Sequence, residues 1–171
     1  MTTLRINHLL RNLYGLLVVL ALVAPLCISS CHAQTVTSLP SYATLQTVAR
    51  IDDDKDIQHK LQLLLGADYQ PFVSNFDVWG EPRRLLGGGL LVEGWLRDLY
   101  LYEASVFAIY PDGRIYAARA DVADKSGGAD GTIRYYSNDV AFGTVVHPAL
   151  APWIARFRGA TTVFPGYAGG P

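Results

Sequence analysis

Few side chains in this sequence have the types and spacings that do chemistry. Asp52, Asp53 and Asp54 form a run of carboxylates that suggests calcium. An EF-hand loop, however, alternates its ligands, turns at a glycine and closes on a glutamate, and none of that follows here. The run reads instead as a helix N-terminus, where acids cap amides and complement the positive end of the dipole. Asp98 and Glu103 are a carboxylate pair of the sort glycoside hydrolysis uses, but at i, i+5 beside strands they read as ordinary surface residues. Gly87, Gly88 and Gly89 lie ahead of a strand, whereas a phosphate-cradling loop follows a strand and opens a helix. They are expected to form a turn or a bulge. There is no GxSxG motif. His59 falls on the polar face of a helix, and His147 before Pro148 reads as a capping or boundary residue. No catalytic residue, metal ligand or cofactor motif emerges, and the expectation is a protein that is not an enzyme.

One segment is different. Residues 95–102 read Trp-Leu-Arg-Asp-Leu-Tyr-Leu-Tyr, and Trp, Tyr and Arg are enriched at binding hot spots. Trp95, Arg97, Asp98 and Tyr100 are therefore the candidate partner-binding residues. A second reading stands beside this one: Trp95, Leu99 and Leu101 belong to the core while Arg97 and Asp98 solvate a turn.

The elements that must position this segment follow from periodicity. Ile57, Leu61, Leu64 and Leu65 repeat as a helical stripe over residues 54–65, and Gly66 is placed to end it. Strands are expected at 90–94, 103–110, 114–119 and 131–137, with Pro111-Asp112-Gly113 as the tight turn between the second and third. Both faces of that hairpin are rather apolar, so one is expected to carry a helix and the other a second layer or a partner. A last helix is expected over 148–158, with Leu150, Trp153, Ile154 and Phe157 buried, Arg156 and Arg158 at its negative end, and Gly159 as its stop. Residues 44–51 lean towards strand or irregular structure. Residues 67–84 have no clean period, and Phe72, Phe76 and Trp79 would wrap the core from an extended segment, with a loop at 82–84. The fold class expected is α+β, an antiparallel sheet of about four to five strands flanked by two helices. Residues 34–50 read as a tether, 51–160 as the single domain and 161–171 as a flexible tail.

The N-terminus has the form of an export leader. Arg5 and Arg11 precede the apolar run 16–26, which is too short to span a bilayer. Two exits remain open. Ile28-Ser29-Ser30-Cys31 has the form of a lipobox, with Cys31 as the lipidated residue; Cys31-His32-Ala33 has the form of an ordinary cleavage site after Ala33. The expected location is the periplasm, soluble or anchored to the outer membrane as a lipoprotein. Cys27 and Cys31 are the only cysteines, so residues 34–171 offer no disulfide, thiolate zinc site or cysteine nucleophile. Removing Arg5 and Arg11 from the 14 basic residues leaves 12 against 15 acidic, a net charge of −3. That balance has no electrostatic footprint for nucleic acid.

The order helix, VEG (92–94), inter-strand segment, VFAIYPDGRIYAA (106–118), IRYYSN (133–138), then a proline-initiated helix with WIARF (153–157) resembles the inhibitor of vertebrate lysozyme family of small periplasmic proteins. The resemblance covers residues 54–158 and implies an antiparallel sheet packed with helices. In that family the strand before the hairpin leads into a disulfide-closed loop, Cys-Lys-Pro-His-Asp-Cys, whose histidine enters the lysozyme cleft. Residues 94–99 of this chain correspond to it and retain neither the cysteines nor the histidine; only Asp98 matches the family aspartate. The resemblance implies a cell-envelope protein whose partner is a protein, a lysozyme-like or other peptidoglycan-cleaving enzyme. The alternative is a non-enzymatic structural or accessory outer-membrane lipoprotein.

Overall fold

A computed structural model of the chain describes residues 35–121 and 131–165. Its centre is a sheet in which β3 (Leu90–Trp95), β4 (Glu103–Ile109), β5 (Ile115–Asp121) and β6 (Thr132–Ser137) pair antiparallel in sequence order. Ile109 opposite Ile115 sets the β4–β5 register, and the Pro111-Asp112-Gly113 turn closes it with Gly113 at φ 86°. The sheet is wider than the four to five strands expected, because two stretches read as loop and tail also pair. β1 (Val78–Trp79) and β2 (Arg83–Arg84) lie along the two halves of β3, forming one edge interrupted around Pro82, which cannot donate to a ladder. β7 (Thr161–Val163) runs parallel to β6, so the seven-stranded sheet is mixed rather than purely antiparallel.

Alternation divides the sheet's side chains between two cores. Leu90, Val92, Phe107, Ile109 and Ala117 face one cluster, and Leu91, Val106, Ala108, Tyr116 and Ala118 face the other. The first face is covered by α2 (Lys55–Leu65), whose buried side chains are the expected Ile57, Leu61, Leu64 and Leu65. Asp54 caps it, accepting from the backbone amides of Asp56 and Ile57 at 3.1 and 3.2 Å. Burial alone pushes the Asp54 carboxyl up, but hydrogen bonds from Ser38, Tyr42 and those two amides outweigh it and hold the group below the usual carboxylate range. Gly66, at φ 54°, ends the helix.

The stretch assigned to a tether is packed into this same core. Val36 and Leu39 are 2% and 1% exposed, the Val36 amide donates to the Pro111 carbonyl at 2.9 Å, and the Tyr42 hydroxyl donates to Asp54 at 2.8 Å. The lean of residues 44–51 towards strand is also corrected. They form α1 (Leu45–Val48) and a 3₁₀ turn (Ala49–Asp53), because burial of Val48 and Ile51 overrides the propensity of Thr and Val. Phe72 likewise enters the core from a short helix, α3 (Tyr69–Val73), and not from an extended segment.

The second face is covered by the C-terminal segment. Leu150, Trp153 and Phe157 are buried as expected, while Ile154 is only half-buried. The regular helix there is limited to α4 (Ala151–Ile154), much shorter than 148–158. Pro148 and Pro152 supply no amide, and from Arg156 onward the turns close at i→i−3, Arg156 to Trp153 and Phe157 to Ile154. Gly159, at φ 83°, then redirects the chain into β7.

Candidate functional site

The β3–β4 connection, residues 96–102, consists of two successive turns. Leu99 donates to the Leu96 carbonyl at 2.9 Å, Tyr102 and Glu103 donate to the Leu99 carbonyl, and Leu96 to Glu103 closes the base at 3.1 Å. The first turn needs a positive φ at its third position. Asp98 takes it at φ 64°, a conformation Asp tolerates better than most side chains. The second turn puts Tyr100 and Leu101 on the surface, 39% and 49% exposed.

Trp95, the last residue of β3, is half-buried on the face that carries Trp153. The Tyr100 ring meets it edge-on, centroids 4.9 Å apart and planes at 81°, the orientation the ring quadrupoles favour. Behind them stands Arg156. It donates to the Tyr100 hydroxyl, lies 5.3 Å over the Tyr100 ring, and pairs with Glu93 at 2.5 Å. Glu93 alternates onto the same face as Trp95, two residues along β3. One guanidinium therefore fixes an exposed aromatic to the sheet.

Of the four sequence-derived contact residues, Trp95 and Tyr100 come together. Arg97 and Asp98 are exposed in the same loop, but Arg97 turns to Asp77 at 3.6 Å, a solvated pair of little energetic weight. Cys31 lies outside the described residues. Sequence reasoning missed Arg156, to which it gave a helix-terminus role, and Glu93. They are 63 positions apart, and no local pattern links them.

At the same end of the sheet, on the opposite face, Arg119 and Arg134 share Asp68 and Asp121. Arg119 to Asp121 is the tightest contact at 2.6 Å, and the buried Tyr136 hydroxyl donates to Asp68 at 2.6 Å. Burial, then the hydrogen bond to Asp68, pushes the Tyr136 phenol well above its ordinary value. These ion pairs join the sheet to the helical turn that carries Asp68, and the buried Nε atoms of Arg119 and Arg134 are left without a hydrogen-bond partner.

His147 sits at the other end. Its ring stacks on Tyr116 at 3.9 Å, and its Nδ1 accepts the Ala149 amide at 3.1 Å, so it serves as the boundary residue expected of it. Its pKa is lowered by burial first and by Arg114 second. Among the described residues no three His, Cys, Asp or Glu side chains converge to hold a metal ion, and no helix is long and apolar enough to cross a membrane. Compared with family models, with curated proteins and with solved structures, the chain matches none.

Proposed function

We propose that this protein is an exported, non-enzymatic binding protein of the cell envelope, anchored through Cys31, and that its contact surface is the β3–β4 loop. Trp95, Tyr100 and Leu101 supply the apolar anchor and Arg97 and Asp98 the polar rim. The observation that carries this reading is the Arg156 clamp on Tyr100 and Glu93. An exposed aromatic held in place before binding loses less freedom on binding than a mobile one. In the family this chain resembles, a disulfide performs that ordering; here the guanidinium takes its place. The partner class that fits is a protein, and the resemblance favours a lysozyme-like or other wall-cleaving enzyme.

The test is capture of a panel of muramidases by the purified protein, with lytic activity measured alongside. Wild type is expected to capture at least one enzyme and suppress it, and Tyr100→Ala with Arg97→Ala to lose capture while keeping the native melting transition. Failure of the wild type across the panel and against periplasmic extract overturns the reading, and leaves an accessory lipoprotein as the alternative.

A further inference from the structure

The two ends of the sheet are chemically unlike. Leu90 pairs with Ile109 at one end of the β3–β4 ladder and Trp95 with Ala104 at the other. The candidate loop is therefore separated by the length of β3, roughly 20 Å at about 3.3 Å per residue, from the end where the chain enters at Thr35.

That entry end carries the most exposed large apolar side chain among the described residues, Leu86, at 97%. Leu86 sits in a turn closed by Leu85 to Gly89 at 2.9 Å and Gly88 to Leu85 at 3.2 Å. Gly87 and Gly88 at φ 81° and 80° make this turn possible. Beside it lies a groove of about 760 Å³ between the lead-in and the β4–β5 turn, lined by Val36, Leu39, Pro40, Gly88 and Pro111. Arg83 and Arg84 are exposed on β2 immediately before the turn. The lead-in is fastened here too, through Val36 to Pro111 at 2.9 Å and Arg84 to the Pro40 carbonyl at 3.0 Å.

The chain's own length then sets a limit. Cys31 precedes Val36 by five residues, and at no more than about 3.6 Å per residue it stays within roughly 18 Å of that fastened point. We propose that the end bearing Leu86, Arg83 and Arg84 lies against a phospholipid bilayer. Leu86 enters the boundary between headgroups and acyl chains, the arginines face the phosphates, and the Trp95–Tyr100 loop is held on the side away from the membrane. This rests on the reading that Cys31 carries the lipid. One leucine and two arginines bind a membrane weakly alone, but next to an anchor the contact is effectively intramolecular and fixes orientation rather than recruitment.

The experiment uses the full chain, processed in cells, purified with its lipid and placed in vesicles of phosphatidylethanolamine and phosphatidylglycerol. An environment-sensitive fluorophore is attached after Leu86→Cys, and separately after Leu101→Cys at the far end and Leu63→Cys on α2. The label at position 86 is expected to shift to the blue and lose emission to spin-labelled lipid, while labels at 63 and 101 stay in water. Adding Arg83→Glu, which leaves the Arg84–Pro40 hydrogen bond in place, is expected to reduce that quenching. A water-exposed label at 86, or recovery of a protein without lipid on Cys31 that does not float with the vesicles, overturns the proposal. Enzyme capture in detergent is read independently. Quenching at 86 without capture sinks only the partner assignment, and capture with 86 in water sinks only the orientation.

Discussion

Arg156, just past the C-terminal helix, pairs with Glu93 in the middle of β3 at 2.5 Å and covers the Tyr100 ring at 5.3 Å. Arg156 and Glu93 are both mostly buried, so water does not fully replace that pair when the guanidinium is removed. Arg156→Ala is expected to cost about 1–3 kcal/mol, the range for leaving a part-buried charged group without its hydrogen bonds. The more specific consequence is local: backbone amides 96–102 exchange faster with solvent, and partner capture weakens. Arg156→Lys keeps the charge but not the planar surface over the ring, and is expected to restore stability better than loop protection. Unchanged exchange in Arg156→Ala would show that the turns order themselves.

Gly94 marks a close approach on the other face of β3. A Cβ there meets Phe76 Cδ1 at 2.3 Å and Cγ at 2.7 Å, and the Phe76 ring is itself held by Trp79 at 4.7 Å and Phe72 at 5.6 Å. Gly94→Ala is expected to destabilise by about 1–3 kcal/mol, as overpacking generally does. The cost should shrink in a Phe76→Leu background. Equal costs in both backgrounds, read from denaturant melts, would place the strain elsewhere.

The tryptophans make a paired test of core against surface. Trp153 is 1% exposed beneath the second face, and Trp153→Ala is expected to cost about 3–5 kcal/mol. Trp95 is half-buried with one side open towards Tyr100, so Trp95→Ala is expected to cost clearly less and to act mainly on partner binding. If Trp95→Ala unfolds the domain as readily as Trp153→Ala, its role is packing and the contact surface loses its anchor.

The parts legible in the sequence were those that local periodicity determines. The stripe Ile57, Leu61, Leu64 and Leu65 is the buried face of α2, Asp54 is its cap, and the alternation on either side of Pro111 gave the central hairpin. The missed parts depend on contacts made far along the chain. Val36 and Leu39 lie in a polar, proline-containing stretch, and only their packing into the first core, with Val36 bonded to the β4–β5 turn, makes them core. β7 is three residues long and exists because Gly159 returns the chain to β6. The site divides the same way. Residue type singled out Trp95 and Tyr100 within one loop, while the arginine that holds them is 56 residues beyond Tyr100 and looked like a helix-terminal charge.

His147 gives the fold a pH dependence whose sign can be worked out. Its Nδ1 accepts the Ala149 amide, its ring is stacked on Tyr116 and flanked edge-on by Tyr110 and Phe142, and Arg114 and Asp139 are the charged groups facing it. Burial first and Arg114 second lower its pKa, with Asp139 opposing. A base with a lowered pKa in the folded state takes up its proton more readily when unfolded. The contribution is therefore complete above the unfolded value of about 6.5, and is lost as pH falls from there towards the folded value. Asp139 and Asp54, both lowered, hold their contributions until pH falls below about 4. Urea melts between about pH 8 and about pH 5 are expected to show a falling midpoint in the wild type. His147→Asn keeps an acceptor for the Ala149 amide but does not titrate, and its midpoint should stay flat across that window. An equal slope in His147→Asn would assign the acid sensitivity to another group.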